Sequence, residues 1–296
     1  MKNWISLLFA LVLGATHAHA RFQLLFLADH ASPLTGVLCA ADGSHGFVAI
    51  DPGATYTEYL REGETVEAHL LSDSHLHRLS GLIMQAMDAK RQNLYATAAA
   101  IETIRDHVFN WKVWPNFADE GLLPHLDAFH YVRMPLSRSL PVPRTALNIE
   151  AIQLPHPSGA TTVALLVESQ GDYLVYLGDV ALSRENALDP LWERLTPLVN
   201  QHKVRAIVLD SPALSLAKGG ALFGGNEAHT WMKELQQLAR RVNQDALKGV
   251  PLVVTHVQGC TMTTVVGTHS PTLELEKQNQ LGLQLLFPKR GDRLDL

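Results

Sequence analysis

Apolar residues along the chain fall into two patterns that predict alternating strands and helices. Short apolar runs between turn residues are typical of buried strands, and apolar residues three or four positions apart are typical of helices. The strands are predicted at Phe22–Leu27, Gly36–Ala40, Gly46–Ile50, Val66–Leu71, Leu94–Ala96, Tyr131–Met134, Leu147–Leu154, Thr162–Glu168, Tyr173–Leu177, Ala206–Leu209, Pro251–Val254 and Leu283–Leu286. The helices are predicted at Tyr56–Arg61, Leu79–Ala89, Ala98–Val108, Leu188–Val199, Ala228–Asn243 and Leu273–Leu281. No repeat or linker divides the pattern, so it predicts one α/β domain with sheets inside and helices outside.

The first twenty residues have a different pattern. Lys2 is followed by an apolar segment from Trp4 to Gly14, and Ala18-His19-Ala20 is a small-x-small cleavage site. This is the pattern of a secretory signal peptide, and the apolar segment is too short to span a bilayer. We therefore predict a signal peptide at 1–20, a single domain at 21–296, and export to the periplasm or the medium.

Composition excludes some partners but does not decide whether the two cysteines form a disulfide. The net charge is −5 and no basic run is present, so a nucleic-acid polymer is not an expected partner. No segment after the signal peptide is long and apolar enough to span a membrane. Cys39 and Cys260 could form a disulfide after export or remain two buried thiols, and their spacing is not a zinc pattern. The sequence does not indicate an oligomeric state.

The segment Leu70–Met84 carries the first indication of chemistry. An apolar run stops, and Asp73, His75 and His77 follow at alternate positions before the predicted helix. In an extended chain these three side chains lie on one side, and carboxylate and imidazole groups are metal ligands. The alternative is a polar loop before a helix that contains two histidines for no metal-related reason.

The same arrangement recurs at other predicted strands, which favours the metal site. Potential ligands follow three further apolar strands closely, and these are His156, Asp179 and His256. Strand ends gather along one edge of a layered α/β fold, so the four groups are expected to meet there.

Together these features resemble the metallo-β-lactamase fold superfamily, and within it the class II cyclic-nucleotide phosphodiesterases. The resemblance extends to the Trp-Pro-Asn stretch within 99–121, the strand, glycine loop and helix within 206–235, and Gly249-to-His256. It implies a four-layer αββα sandwich and metal-dependent hydrolysis of a 3′,5′-cyclic nucleotide such as cyclic AMP to the 5′-monophosphate.

The metal-binding turn departs from the family pattern His-x-His-x-Asp-His. Its positions hold Asp73, His75, His77 and Arg78, and the histidine after the glycine loop is absent. An arginine donates hydrogen bonds only and stays charged, so it cannot replace a ligand and repels a second dication. We therefore expect one firm Zn²⁺ site and a second that is weak or absent.

Carried over position by position, the resemblance implies a role for each matching residue. The first metal is expected at Asp73, His75 and His156, with Asp179 bridging to a second position formed by His77, Asp179 and His256. Asp179 and Arg78 are the expected catalytic residues, with Arg78 as a phosphate clamp, and Asp51 is expected to orient a ligand histidine.

Two alternatives to a cyclic-nucleotide phosphodiesterase remain open. The altered turn is compatible with a family member that binds a nucleotide or another anion without hydrolysing it. A hydrolase of the same fold could also act on a lactam, a lactone or another phosphoester.

Overall fold

The protein is described here from a computed structural model. It describes residues 21–29, 32, 34–155, 161–178, 180, 182, 186–210, 228–255 and 271–296, with the backbone alone at residues 228 and 271. Two seven-stranded sheets pack face to face and helices cover both outer faces. The predicted four-layer αββα sandwich is therefore confirmed.

The first sheet has the strand order β14-β1-β2-β3-β4-β5-β6. Strands β3 to β6 are parallel to one another, whereas β14, β1 and β2 join by antiparallel pairing. Its strands are Phe22–Phe26 (β1), Val37–Ala41 (β2), Gly46–Ile50 (β3), Thr65–Leu70 (β4), Gln92–Ala96 (β5), Phe129–Arg133 (β6) and Arg293–Asp295 (β14). The helices α1 (Leu76–Gln85) and α2 (Ala98–His107) cover its outer face.

The second sheet has the order β13-β12-β11-β10-β9-β8-β7. Strands β10 to β13 are parallel, and β7 to β10 are antiparallel. Its strands are Leu140–Pro141 (β7), Asn148–Leu154 (β8), Thr162–Ser169 (β9), Asp172–Leu177 (β10), Val204–Asp210 (β11), Pro251–Thr255 (β12) and Gln284–Leu286 (β13). Three helices cover its outer face: α3 (Asp189–Asn200), α4 (Ala228–Ala239) and α5 (Pro271–Gln278).

Alternation along the strands explains why both faces of each sheet are buried. In β10, Leu174 and Tyr176 face the core between the sheets, while Val175 and Leu177 face the helices. Successive strand residues point to opposite faces, so an apolar run without polar interruption can fill both layers. The parallel strands of each sheet direct their carboxyl ends to one edge, where ligands bind in α/β folds.

The structure corrects the predicted start of the helix after β4. Helix α1 begins at Leu76 and not at Leu79, so His75 is its N-cap and His77 lies in its first turn. The turn is therefore extended only before the helix, and the alternation argument for Asp73, His75 and His77 fails at His77. The first turn was missed because its buried side chain is the charged Arg78 and not an apolar residue.

Smaller differences occur where local sequence is weakly informative. The helix predicted at Tyr56–Arg61 is a single 3₁₀ turn at Thr57–Tyr59, and α4 and α5 end earlier than predicted. Two short edge strands, β7 and β14, were not predicted. Thr97 caps α2, because its hydroxyl accepts a hydrogen bond from the backbone N–H of Ala100 at 3.2 Å.

Candidate functional site

The carboxyl ends of five strands converge on one edge of the sandwich. Asp51 directly follows β3, and Ser72 and Asp73 follow β4. On the opposing sheet, Gly178 follows β10, Asp210 ends β11 and Thr255 ends β12. The contacts described below join these residues, so the site lies where both sheets present the ends of parallel strands.

Ser72 links the two sheets at this edge. Its carbonyl accepts a hydrogen bond from the backbone N–H of Val163 at 3.0 Å. A Cβ added at Gly178 would lie 2.3 Å from Ser72 Oγ, so only glycine fits there. This close approach places the chain that leads into Asp179 directly against the turn that carries Asp73.

Arg78 is the most unusual residue of the site, because its guanidinium is fully buried among three carboxylates. Its Nη1 lies 2.7 Å from Asp51 Oδ2 and also contacts Asp210 Oδ2, and its Nε lies 2.9 Å from Asp73 Oδ2. Burial disfavours the charged form, but the three carboxylates, Asp210 first, outweigh it and hold the pKa of Arg78 well above its usual value. Arg78 is therefore a fixed buried cation.

Asp51 is held by the turn after β4. It accepts hydrogen bonds from the backbone N–H of Ser72 at 2.7 Å and from Ser72 Oγ at 2.6 Å. Burial raises the pKa of Asp51 to about 6, against the opposing effects of Arg78 and Ser72. Sequence reasoning expected Asp51 to orient a ligand histidine; the partners found for it are Ser72 and Arg78.

Tyr176, Asp210 and Thr255 belong to the site and were missed in the sequence. Tyr176 donates a hydrogen bond to Asp210 Oδ2 at 3.1 Å and accepts one from Arg78 Nη1 at 3.3 Å. Thr255 donates to Asp210 Oδ1 at 3.1 Å. Burial, then Asp210 and Asp51, raise the pKa of Tyr176 well above its usual value, so its hydroxyl stays protonated.

One signal in the sequence would have identified Asp210. It is the first polar residue after the apolar run Ala206–Leu209, which is the same arrangement that singled out Asp73 and Asp179. Tyr176 gives no such signal, because an aromatic residue within a strand is expected in the core.

Of the predicted ligands in the turn, Asp73 and His75 lie together, and His77 lies beside His75. Asp73 is buried, and its Oδ1 accepts a hydrogen bond from the backbone N–H of His75 at 2.8 Å. His75 Nδ1 lies 3.6 Å from the same oxygen, and its side chain is 36% exposed. The imidazole rings of His75 and His77 stack with centroids 5.8 Å apart. One Asp73 oxygen and the imidazole of His75 therefore lie next to each other.

His156, Asp179, His256 and Cys260 lie outside the described residues. Their described neighbours reach the site at two points, since Gly178 contacts Ser72 and Thr255 bonds to Asp210. Cys39 is buried between the sheets, and burial raises its pKa. Within the described part of the chain, no three His, Cys, Asp or Glu side chains are placed to hold a metal ion, and no helix is long and apolar enough to cross a membrane.

Asp73 and His75 suit one divalent cation, since they supply a carboxylate and an imidazole whose Oδ1 and Nδ1 atoms lie 3.6 Å apart. The Arg78 guanidinium itself lies among Asp51, Asp73 and Asp210, so a second ion has no space between these groups.

Comparison with known proteins decides the family. The sequence model described as "cAMP phosphodiesterases class-II" matches residues 46–291. The chain belongs to this family. The membership confirms the resemblance predicted from the sequence and the predicted enzyme class.

Curated relatives agree with this family. A 3′,5′-cyclic-nucleotide phosphodiesterase of Aliivibrio fischeri is 26% identical over 289 residues, which cover 94% of this chain and 85% of that protein. A probable 3′,5′-cyclic-nucleotide phosphodiesterase of Yersinia pestis is 28% identical over 285 residues, covering 91% of this chain and 80% of that protein.

Solved structures share the fold at low sequence identity. Unliganded yeast PDE1 superposes with a TM-score of 0.77 at 15% identity, over 94% of this chain and 100% of that one. Zn²⁺-bound PqqB from Methylobacterium extorquens gives a TM-score of 0.63 at 15% identity, over 93% of this chain and 100% of that one. Likenesses at this identity show the fold alone, and they confirm the metallo-β-lactamase type predicted from the sequence.

Proposed function

We propose that this class-II family member is an exported phosphodiesterase that hydrolyses 3′,5′-cyclic nucleotides, such as cyclic AMP, with one bound metal ion. The observation that carries the proposal is the family match over 246 residues, from 46 to 291, which includes every strand end that forms the site. Export rests on the signal-peptide pattern of residues 1–20.

The proposed metal site uses Asp73 and His75, together with His156 and Asp179 from the sequence prediction. Two observations support one ion at this position: Asp73 Oδ1 lies 3.6 Å from His75 Nδ1, and a carboxylate and an imidazole side by side are groups that bind a divalent metal. A bound divalent metal would supply Lewis acidity and an activated water for attack on phosphorus. Zinc is the proposed ion because imidazole and carboxylate are its usual ligands in catalytic sites.

The described residues prepare this site in three ways. Arg78 fixes Asp73 through Nε, so the second oxygen of Asp73 stays directed towards His75. Asp51 anchors both Ser72 and Arg78, which sets the position of the turn. Arg78 is fully buried, so it acts by positioning Asp73 and by its charge; the geometry does not support direct contact with a substrate phosphate.

Hydrolysis in this proposal adds one water across the P–O3′ bond. The oxygen of water forms the new bond to phosphorus, the P–O3′ bond breaks, and the O3′ atom takes a proton to give the 5′-monophosphate.

The test combines metal analysis with turnover. Protein expressed from the full-length gene is purified after export, its N-terminus is sequenced, its metal content is measured by mass spectrometry, and conversion of cyclic AMP to 5′-AMP is followed by chromatography. We expect about one zinc per chain, and Asp179→Ala should lose both the zinc and the turnover. Asp189→Ala is the matched control, since Asp189 pairs with Arg241 in the outer helical layer.

Each alternative has its own outcome. Nucleotide binding without turnover of any cyclic nucleotide would overturn the proposal in favour of a non-hydrolytic family member. Lactone or lactam cleavage without cyclic-nucleotide turnover would instead identify another hydrolase of this fold. Activity that survives Asp179→Ala would show that the ligand assignment is wrong.

A further inference from the structure

Five of the eleven large apolar side chains that are exposed in the described part of the chain lie in one loop, between α2 and β6. They are 43–77% exposed, and we call them the loop patch: Trp111, Val113, Leu122, Leu123 and Leu126. Single exposed apolar residues are normal on a protein surface. A cluster of them on a folded domain indicates an interaction surface.

Hydrogen bonds hold the two segments of this loop side by side. The first segment carries Trp111 and Val113, and the second carries the three leucines. The indole Nε1 of Trp111 donates a hydrogen bond to the carbonyl of Pro124 at 3.0 Å. Asn116, which is fully buried between the segments, donates to the carbonyl of Leu122 at 2.8 Å. The five apolar side chains therefore belong to one ordered surface.

The backbone of Trp111 gives a second reason to assign a role to the patch. Its φ angle is +62°, a left-handed conformation that is rare for a bulky side chain and costs conformational energy. The hydrogen bond to Pro124 accounts for the orientation of the indole, but 43% of the residue still faces water. A partner that covers the ring would use the surface that this conformation presents.

The area of the patch suits the centre of a protein–protein interface. At these exposed fractions the five side chains present on the order of 500 Å² of apolar surface, which is large for a monomer and more than half of the roughly 800 Å² per partner in a standard interface. Exposed residues beside them supply the remaining area: Lys112, Gly121, Pro124 and Asp127.

The charges beside the patch favour a second copy of this chain as the partner. Lys112 lies between Trp111 and Val113, and Asp127 follows Leu126; both are exposed, and neither forms an ion pair with a described residue. A two-fold contact places a surface against itself, so one cation in the first segment and one anion in the second are self-complementary. An anionic membrane surface would instead require a basic rim, and these two charges cancel.

We propose that the loop patch is a two-fold interface between two copies of this chain, in which Lys112 of each copy faces Asp127 of the other. The loop leads into the amino end of β6, whereas the candidate site lies at the carboxyl ends of the parallel strands. The dimer therefore leaves the candidate site accessible, and the inference is independent of the proposed hydrolysis.

The experiment measures the mass of the exported, purified protein by analytical ultracentrifugation over a range of concentrations. Two variants each place a charge in one segment of the patch, and these are Val113→Glu and Leu123→Glu. Met87→Glu is the matched control, because Met87 is 75% exposed but lies just after α1, outside the patch. Circular dichroism and melting temperature verify that each protein is folded.

We expect the wild type and Met87→Glu to be dimers with a dissociation constant of about 1 µM or tighter. Each patch variant should dimerise at least about 100-fold more weakly, because its new carboxylate would be buried against apolar side chains.

A mixing experiment tests the two-fold pairing of charges. Lys112→Asp sets two acidic groups against each other in its own dimer, and Asp127→Lys sets two basic groups against each other, so each variant alone should dimerise about tenfold more weakly than the wild type. In an equimolar mixture opposite charges face each other again, and the affinity should return towards that of the wild type.

Four results would overturn the inference. A wild type that is monomeric at every concentration has no such interface, and a dimer that survives both Val113→Glu and Leu123→Glu uses another surface. A mixture that associates no more tightly than its single variants contradicts the pairing of Lys112 with Asp127. Monomeric protein that binds phosphatidylglycerol vesicles through the patch would assign the surface to a membrane. If one patch variant does not fold, the other carries the test.

Discussion

Two arginines in this protein, Arg78 and Arg293, show how different two ion pairs can be. Arg293 joins β14 to the loop before β4 through a fork with one carboxylate, Glu64, and their side chains are 15% and 7% exposed. Arg78 is fully enclosed and shares one guanidinium among three aspartates. Among the described residues, the first group sets one carboxylate against one cation, whereas the second sets three carboxylates against one cation.

The contrast distinguishes an ion pair that supports the fold from a charged cluster at the candidate site. A neutral fork at a sheet edge has no need for a further ion, and its geometry is complete. The described part of the Arg78 cluster holds more carboxylates than cations, at a cost in stability that the surrounding core offsets. The position of the cluster at the carboxyl ends of both parallel strand sets agrees with a functional site.

The largest effect is expected from breaking the Arg78 cluster. Arg78→Met removes the guanidinium that Asp51, Asp73 and Asp210 share, and should reduce the free energy of unfolding by about 3–5 kcal/mol. Arg293→Met breaks a partly exposed pair and should cost about 1 kcal/mol. Urea unfolding of both variants at neutral pH measures the difference, and equal losses would show that Arg78 is an ordinary ion pair.

His69 is a third group to compare with Arg78 and Arg293. It is buried and polar, but it has no charged partner among the described residues. Its Nε2 lies 2.8 Å from the hydroxyl of Tyr56, and burial lowers its pKa to about 3. The unfolded chain takes up a proton near pH 6.5 and the folded protein does not, so stability is lost as the pH falls from 6.5 towards 3.

This loss should amount to about 1.4 kcal/mol per pH unit below pH 6. His69→Gln keeps a polar partner for Tyr56 and removes the titration, so the variant should lose less stability between pH 6 and 4.5 than the wild type. Unfolding curves that shift in parallel for both proteins would mean that His69 is protonated in the fold.

Glu64 is expected to have the smallest effect on stability. Unlike His69, it is paired with a charged side chain, that of Arg293. Burial opposes its ionisation, but hydrogen bonds from Arg293 and from the backbone N–H of Arg61 outweigh burial and keep the pKa of Glu64 below its usual 4.5. The pair therefore stabilises the protein above pH 4.5, and this contribution of about 1 kcal/mol or less is lost as the pH falls through the lowered pKa.

The stability difference between the wild type and Glu64→Gln should be constant above pH 5 and shrink in more acidic solution. Chemical unfolding at a series of pH values measures it. A difference that grows towards acid would contradict the assigned direction of the pKa shift.

The sequence predicts the fold well because strands buried on both faces leave continuous apolar runs. The hairpin of β9 and β10 is an example, since each strand is an apolar run and the two are paired in the structure. The Gln170-Gly171 turn that joins them has the positive φ angles that a tight hairpin turn requires. Short edges such as β14 escape prediction, because Arg293–Asp295 contains no such run and its pairing with β1 depends on distant residues.

The candidate site is predictable only in part, for a physical reason. Asp73 is identified by the rule that a polar residue just after an apolar strand is a candidate site residue, and the same rule identifies Asp210. The contacts of Arg78 cannot be predicted from its position in the turn, because its partners Asp51 and Asp210 are 27 and 132 residues away along the chain. Only the three-dimensional arrangement shows that a charged residue fills the space among the aspartates.

Anomalous X-ray diffraction from crystals of the wild type grown with excess Mn²⁺ tests the central claim most directly. We predict one ion beside Asp73 and His75, with the Arg78 guanidinium still enclosed by Asp51, Asp73 and Asp210. Two ions with Arg78 displaced from the carboxylates would contradict the account, because the protein would then exchange its own cation for a metal.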